Sequence, residues 1–295
     1  MNVLLATDGA DAAATAIQTA LRLLSPLNRN LTVLCVAPAW GRPKAASRTL
    51  YEEKALAATT SSLEKARAIA APAAKEVTLE TGIGSAAAII ADKSAAFDLT
   101  VIGSGGAPEA GLGPVARRVV EHASGALLIG RRIISEEGLR VLVAVDGSVA
   151  SLRAIETLGD MFDMTSAEVC VMHVAETIWL DEGPGSDFAT ASDEEKEASE
   201  PGQLEKEFVR EGEGITEEAR DILRDHCLLV NVEMAEGNPA GQILAEAERG
   251  QYDLVVIGAT GNRDVKHQML GSVSARIAWE APCSVLIVRE PGETG

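Results

Sequence analysis

Aromatic side chains are scarce, at 3% of 295 residues, which removes the stacking platforms that hold single-stranded nucleic acids. Cationic side chains are also in the minority. Lys and Arg number 26 against 44 Asp and Glu, a formal charge of −18. Binding of nucleic acid depends on neutralising phosphates with Lys and Arg, and no basic patch interrupts the acidic chain, so that partner class is excluded. The same field opposes docking on anionic lipid. The four cysteines, Cys35, Cys170, Cys227 and Cys283, lie far apart, with no C-x-x-C and no paired histidine spacing. Neither a disulfide framework nor a structural zinc site fits that distribution, and buried free thiols are expected. No apolar run approaches the roughly 18 residues of a membrane span. The opening MNVLLATDGADAA has no basic leader and carries acidic residues where a signal peptide is apolar. A cytoplasmic protein without membrane insertion is expected.

What the chain does have is apolar residues, 46% of the total, enough for one or two packed domains at this length. It also repeats itself. VLLATDG at 3–9 returns as VLVAVDG at 141–147, FDLTVIG at 97–103 as YDLVVIG at 252–258, and LGPVARRVV at 112–120 as LGSVSARIA at 270–278. Asp8 and Asp146 are 138 positions apart, as are Val36 and Val174, whereas Gly103 and Gly258 are 155 apart and Gly113 and Gly271 are 158 apart. The second half therefore carries about 17 extra residues after its second strand and three more in its glycine loop. This is a duplication with two insertions, with halves at 1–132 and 138–291 joined through RRIISEEG (131–138).

Each half alternates short β-branched runs with helical stretches. In the second half, 141–145, 168–174, 228–235, 253–258 and 284–288 predict strands, and 151–162, 217–226, 240–250 and 272–281 predict helices. The first half gives the same strand order with VLLAT, LTVLCV, VTLET, DLTVIG and ALLIG. Near-continuous apolar strands suit a parallel sheet covered on both faces, so the fold class is α/β, two open five-stranded doubly wound sheets flanked by helices. The insertion DEGPGSDFATASDEEKEASEPG (181–202) reads as a solvated loop.

Ligands of such sheets bind beyond the carboxyl ends of the strands where the strand order reverses. Two features fall there: an aspartate closing the first strand (Asp8, Asp146) and a glycine-rich turn closing the fourth. In the second half that turn spans Gly258, Gly261, Gly271 and Ser272 in the spacing G-x2-G-x9-G-S. Gly258 and Gly261 let the backbone approach an anion without a Cβ and adopt positive φ. Gly271-Ser272 then opens a helix whose free N–H groups and dipole favour phosphate. Arg263, Lys266 and His267 lie between, and Asp146 can accept from an amine or hydroxyl at the ligand's other end. Together these suit a mononucleotide stretched across the crevice. Structural roles compete: Asp146 and Ser272 can cap helices, His173 can be a satisfied core histidine, and Asp98 and Asp253 precede the fourth strands as structural carboxylates. No G-K-[ST] is present, so a Walker A loop is absent.

On these motifs, with His173-Val174 and G-N-P-A at 237–240, the chain resembles a tandem universal stress protein almost end to end. The resemblance implies strand order 3-2-1-4-5 in each half and pairing of the halves through their last strands, an internal pseudo-dimer that a homodimer of chains could extend. It implies an ATP site, with Mg2+ as an accessory, in which Asp146 and Val174 meet the adenine end and Gly258, Gly261, Gly271 and Ser272 hold ribose and phosphates. Val145, Asn262, Arg263 and Val273 complete the implied set. The first half departs from the pattern. Its loop GSGGAPEAGLGP (103–114) is three residues shorter, places Pro114 where Ser272 stands, and offers Glu109 in place of cations. Proline preserves a helix start but supplies neither N–H nor hydroxyl. The expectation is a stress-response regulator that binds an adenine nucleotide in its second half, acts through an unidentified protein partner, and uses its first half as scaffold. The alternatives are a slow ATPase or nucleotide hydrolase, for which no dedicated base is evident, and a scaffold that takes no nucleotide.

Overall fold

The structure is a computed structural model, and it describes residues 1–25, 29–39, 45–74, 76–105, 111–134, 138–176, 201–227, 229–261 and 270–289. The first half runs β1 (Asn2–Thr7), α1 (Asp11–Leu23), β2 (Asn30–Pro38), α2 (Ala45–Ala70), β3 (Val77–Gly84), α3 (Ala86–Ser94), β4 (Leu99–Gly103), α4 (Pro114–His122) and β5 (Ala126–Gly130). The second runs β6 (Leu139–Val145), α5 (Val149–Met161), β7 (Ala167–Ala175), α6 (Pro201–Leu223), β8 (Leu229–Glu236), α7 (Pro239–Arg249), β9 (Leu254–Gly258), α8 (Ser272–Glu280) and β10 (Ser284–Val288).

All ten strands join one sheet in the order β3-β2-β1-β4-β5-β10-β9-β6-β7-β8. Within each half the order is 3-2-1-4-5 and the neighbours are parallel. The halves meet where β5 and β10 pair antiparallel, with Val285 opposite Ile129 and Val288 opposite Ala126. Burial explains this placement. β5, β9 and β10 are buried at every position, which suits central strands covered on both faces. β3 and β8 alternate between partly buried and exposed positions, as edge strands can.

The helices divide between two apolar layers. Ile17 of α1, Leu63 of α2, Ile155 of α5 and Leu223 of α6 pack on one face with Leu128 and Leu286. Ile90 of α3, Val119 of α4, Ile243 of α7 and Ile277 of α8 pack on the other with Leu127 and Ile287. Both layers run unbroken across the β5–β10 seam. Each fully buried aliphatic side chain contributes about 1.5–3 kcal/mol, so the halves share their cores and stabilise each other.

Two arginines reinforce the seam from matching positions. Arg131 follows β5 and donates from Nη1 to the Cys283 carbonyl at 3.2 Å and from Nη2 to the Ala278 carbonyl at the end of α8. Arg289 follows β10 and donates from Nη1 to the Ala123 carbonyl at 2.6 Å and from Nη2 to the Val120 carbonyl at the end of α4. Each half thus caps the carboxyl end of the other half's last helix, where unpaired carbonyls and the dipole favour a cation. The carboxyl ends of α1 and α5 also touch, with Ser25 N donating to the Met161 carbonyl and Asp163 N to the Leu23 carbonyl. Asp98 and Asp253 are structural: each accepts from the backbone at the start of the neighbouring first strand, Asn2 N at 2.7 Å and Arg140 N at 3.0 Å.

One expectation is corrected. The helix read as 217–226 is the end of a much longer α6 that starts at Pro201, so the last two residues of the acidic insertion are helical; its residues 181–200 lie outside the described ones. Among the described residues no helix is long and apolar enough to cross a membrane.

Candidate functional site

Four segments converge beyond the carboxyl ends of β6, β7 and β9. β6 ends at Val145, and Gly147 at φ +74° turns the chain into α5, a left-handed conformation that favours glycine. Ser148 is the N-cap of α5. Its hydroxyl accepts from Ser151 N at 3.2 Å and donates to Asp146 Oδ1 at 2.5 Å, which also accepts from Ser148 N at 3.1 Å. The capping expected of Asp146 therefore belongs to Ser148, and the cap holds the Asp146 carboxylate in place. β7 brings His173 alongside, and its Nδ1 lies 2.9 Å from the Val145 carbonyl. A carbonyl only accepts, so Nδ1 carries the proton and Nε2 holds the lone pair in the neutral ring. His173 is thus satisfied, though it lies at a cleft wall and not in the core.

The glycine loop begins where β9 ends. Gly258 is required by packing: a Cβ there would sit 2.7 Å from the Ala150 carbonyl carbon and 2.8 Å from Ser151 N. A Cβ on Gly261 would sit 2.8 Å from Asp146 Oδ2, so the loop passes directly over the carboxylate. Positive φ is used at neither glycine, nor at Gly271; what the loop uses is the missing side chain. Gly271 N donates to the Ala259 carbonyl at 2.8 Å and closes the neck of the loop. Gly271, not Ser272, is then the N-cap of α8, with no side-chain cap. The first-turn amides of Ser272, Val273 and Ser274 have no acceptor within the helix by its geometry, and Ser274 Oγ donates to the Gly258 carbonyl at 2.7 Å.

These segments line a cleft of about 480 Å³, within the range of small-molecule sites. Val145, Asp146, Val174, Gly258, Gly261, Gly271, Ser272 and Val273 all face it. Asn262 and Arg263 lie outside the described residues, as do Asp264, Lys266 and His267. The cleft also takes in Ser151, Thr260, Ser274, His173 and Glu211. Ser151 and Ser274 could have been found in sequence as small polar residues in the first turns of α5 and α8, and Thr260 as part of the glycine loop; Glu211, from the middle of α6, had no such signal. The described charged lining residues, Asp146, Glu176 and Glu211, are all carboxylates. The cleft is therefore polarised, with acceptors at the ends of β6 and β7 and amide donors at the start of α8. That donor set fits a ligand with an anionic end at the glycine loop and hydrogen-bond donors at the other.

The first half forms a second cleft of about 510 Å³ at the matching place. Its loop neck closes the same way, with Gly113 N donating to the Ser104 carbonyl at 2.7 Å. Its first helix starts from Ala10 without a side-chain cap, and Asp8 Oδ1 accepts from Ala10 N at 2.9 Å. Pro114 opens α4, and Glu109 lies outside the described residues.

A sequence model of the universal stress protein family matches residues 1–131 and 139–289. The universal stress protein YxiE of Bacillus subtilis is 28% identical over 150 residues, covering 51% of this chain and 98% of that protein. A universal stress protein of Mycolicibacterium smegmatis is 27% identical over 211 residues, 70% of this chain and 66% of that one. A solved universal stress protein from Archaeoglobus fulgidus matches in fold across 98% of both chains, with a TM-score of 0.61 at 20% identity.

Proposed function

The chain belongs to the universal stress protein family, and from that premise we propose that it is an ATP-binding regulator whose nucleotide sits in the cleft of residues 138–291. One observation carries the reading: at the two described ends of the G-x2-G-x9-G-S segment, Gly261 lies over Asp146 while Ser272 and Val273 bring first-turn helix amides to the same cleft. On this reading the phosphates meet the amides of Ser272 and Val273, the Ser272 hydroxyl, Gly258, Gly261, Asn262 and the Arg263 cation. The adenosine end lies against Val145 and Val174, with Asp146 accepting from an amine or hydroxyl. Mg2+ accompanies the triphosphate and offsets its charge beside the cleft carboxylates. The first half, residues 1–132, is the scaffold of the pseudo-dimer and holds no triphosphate, because Pro114 offers neither an N–H nor a hydroxyl where Ser272 stands and the sequence of its loop supplies no cation. Occupancy of the second cleft is the signal, read by a protein partner as a change in conformation or assembly.

A thermal shift with ATP and Mg2+ tests this on the full chain. A ligand bound only by the folded state adds about 2.7 kcal/mol at a hundred times its Kd, so a clear rise in melting temperature is expected. In Gly261→Asp a second carboxylate is forced against Asp146 and the rise is lost. No shift at millimolar ATP in the unaltered chain refutes the proposal.

A further inference from the structure

The two clefts have the same backbone plan and different walls. Around the second, hydroxyls stand at Ser148, Ser151, Thr260, Ser272 and Ser274. The matching positions of the first are Ala10, Ala13, Gly105, Pro114 and Ala116, all facing its cleft. Every hydroxyl in that set is missing. Ile90, Ile102, Leu34 and Val36 supply the rest of an apolar wall, and the polar side chains in the described lining are Thr7 and Asp8. Thr7 Oγ1 already accepts from Gly9 N at 3.0 Å, which leaves the Asp8 carboxylate as the charge at the rim.

The cleft has not closed. At about 510 Å³ it is no smaller than its counterpart of about 480 Å³, because the hydroxyl-bearing residues are matched by small residues and not by bulky ones. Larger apolar side chains would fill such a space and contribute about 25 cal/mol for each Å² removed from water. Beyond the loop, the chain packs against the second half at Gly111. Gly111, at φ +71°, lies so close to Trp279 of α8 that a Cβ would sit 2.8 Å from its indole nitrogen. The Arg117 guanidinium covers the same ring at 5.5 Å. A preformed, open and apolar cavity of this size is the ordinary form of a small-molecule site.

We propose that the first cleft is a second ligand site, one that takes an uncharged, largely apolar small molecule with a hydrogen-bond donor at one end. The apolar body lies against Ile90, Ile102 and Ala116, and the donor meets the Asp8 carboxylate. Anionic ligands are turned away by that carboxylate, with no cation among the described lining residues to offset it. The proposal stands apart from the nucleotide reading of the second cleft.

N-phenyl-1-naphthylamine, uncharged and carrying one N–H, is the probe, titrated by fluorescence into the full chain. The expected result is saturable binding of one molecule per chain, unchanged by millimolar ATP and Mg2+. Its anionic analogue, 8-anilinonaphthalene-1-sulfonate, binds there at least about tenfold more weakly. Val115 lines the cleft and is 44% exposed, so Val115→Trp obstructs the cleft without disturbing the core and weakens the probe at least about tenfold. Should that variant melt abnormally, Ala86→Leu on the opposite wall gives the same readout. Absence of saturable binding, displacement by ATP, equal binding of the sulfonate, or indifference to both substitutions overturns the proposal. The ATP thermal shift on the same sample reports the second cleft independently.

Discussion

Replacing Arg131 with methionine tests the seam between the halves, because it keeps the apolar stem and removes the donors. Two effects oppose each other. Burial pushes the Arg131 pKa down to about 10, a desolvation cost on the order of 3 kcal/mol that disappears with the guanidinium. Against it stand hydrogen bonds from a charged donor to the carbonyls of Ala278, Cys283 and Trp279, each contributing about 1.5–3 kcal/mol. The Ala278 and Trp279 carbonyls lie in the last turn of α8, where the helix itself supplies no amide donor. The bonds therefore win, and Arg131→Met is expected to cost about 2–3 kcal/mol and lower the melting temperature by roughly 4–10 °C for a chain of this size. Arg289→Met should do the same from the other side, since Arg289 holds the end of α4 in the mirrored arrangement. Calorimetry at pH 7, where both arginines are charged, reads the loss directly. An unchanged or higher melting temperature would show that desolvation outweighs the bonds, and the seam would then rest on the β5–β10 ladder and its apolar cover alone.

Other perturbations have equally definite outcomes. Ser148→Ala removes the cap of α5 and both the hydroxyl and the fixed geometry that hold Asp146; stability should fall by about 1 kcal/mol and ATP affinity on the order of tenfold by titration calorimetry. Gly258→Ala drives a methyl into the backbone of Ala150 and Ser151, so a loss of at least about 1–3 kcal/mol is expected in urea unfolding. Burial raises the thiol pKa at Cys35, Cys170 and Cys227, and pushes Cys283 up to about 11. All four should therefore resist a thiol reagent at pH 8 in the native protein and react once it is unfolded. The same shifts fix the alkaline behaviour. The unfolded thiols lose their protons near pH 9 while the folded ones hold theirs longer, so stability is full below that point and declines as pH rises through it, for Cys283 up to about pH 11 and by up to about 1.4 kcal/mol per pH unit.

The strands were the most legible part of the sequence, because a strand buried on both faces leaves an apolar run with nothing to interrupt it. DLVVIG and SVLIV could be placed to within a residue of β9 and β10. The duplication could be read for the same reason, whereas the sheet order was implied only by the family resemblance. Helix α6 was legible only over its last turns. Its first residues, PGQLEKE, are polar and follow an acidic stretch, so nothing in the pattern separates them from a loop. Arg131 and Arg289 left no trace in sequence, since each acts through a contact more than 140 positions away. At the cleft, residue types were readable and roles were not. Gly258 is held by the backbone of α5, and capping falls to Ser148 where the sequence pointed to Asp146. Both follow from how closely α5 approaches β9, a distance that spacing alone does not encode.

Titration calorimetry of the full chain with ATP and Mg2+, compared with Gly261→Asp and with Val115→Trp, tests the division of labour between the two clefts most directly. One nucleotide per chain is expected, lost in Gly261→Asp and retained in Val115→Trp. Two equivalent nucleotides per chain, or binding that survives Gly261→Asp and disappears in Val115→Trp, would contradict the account.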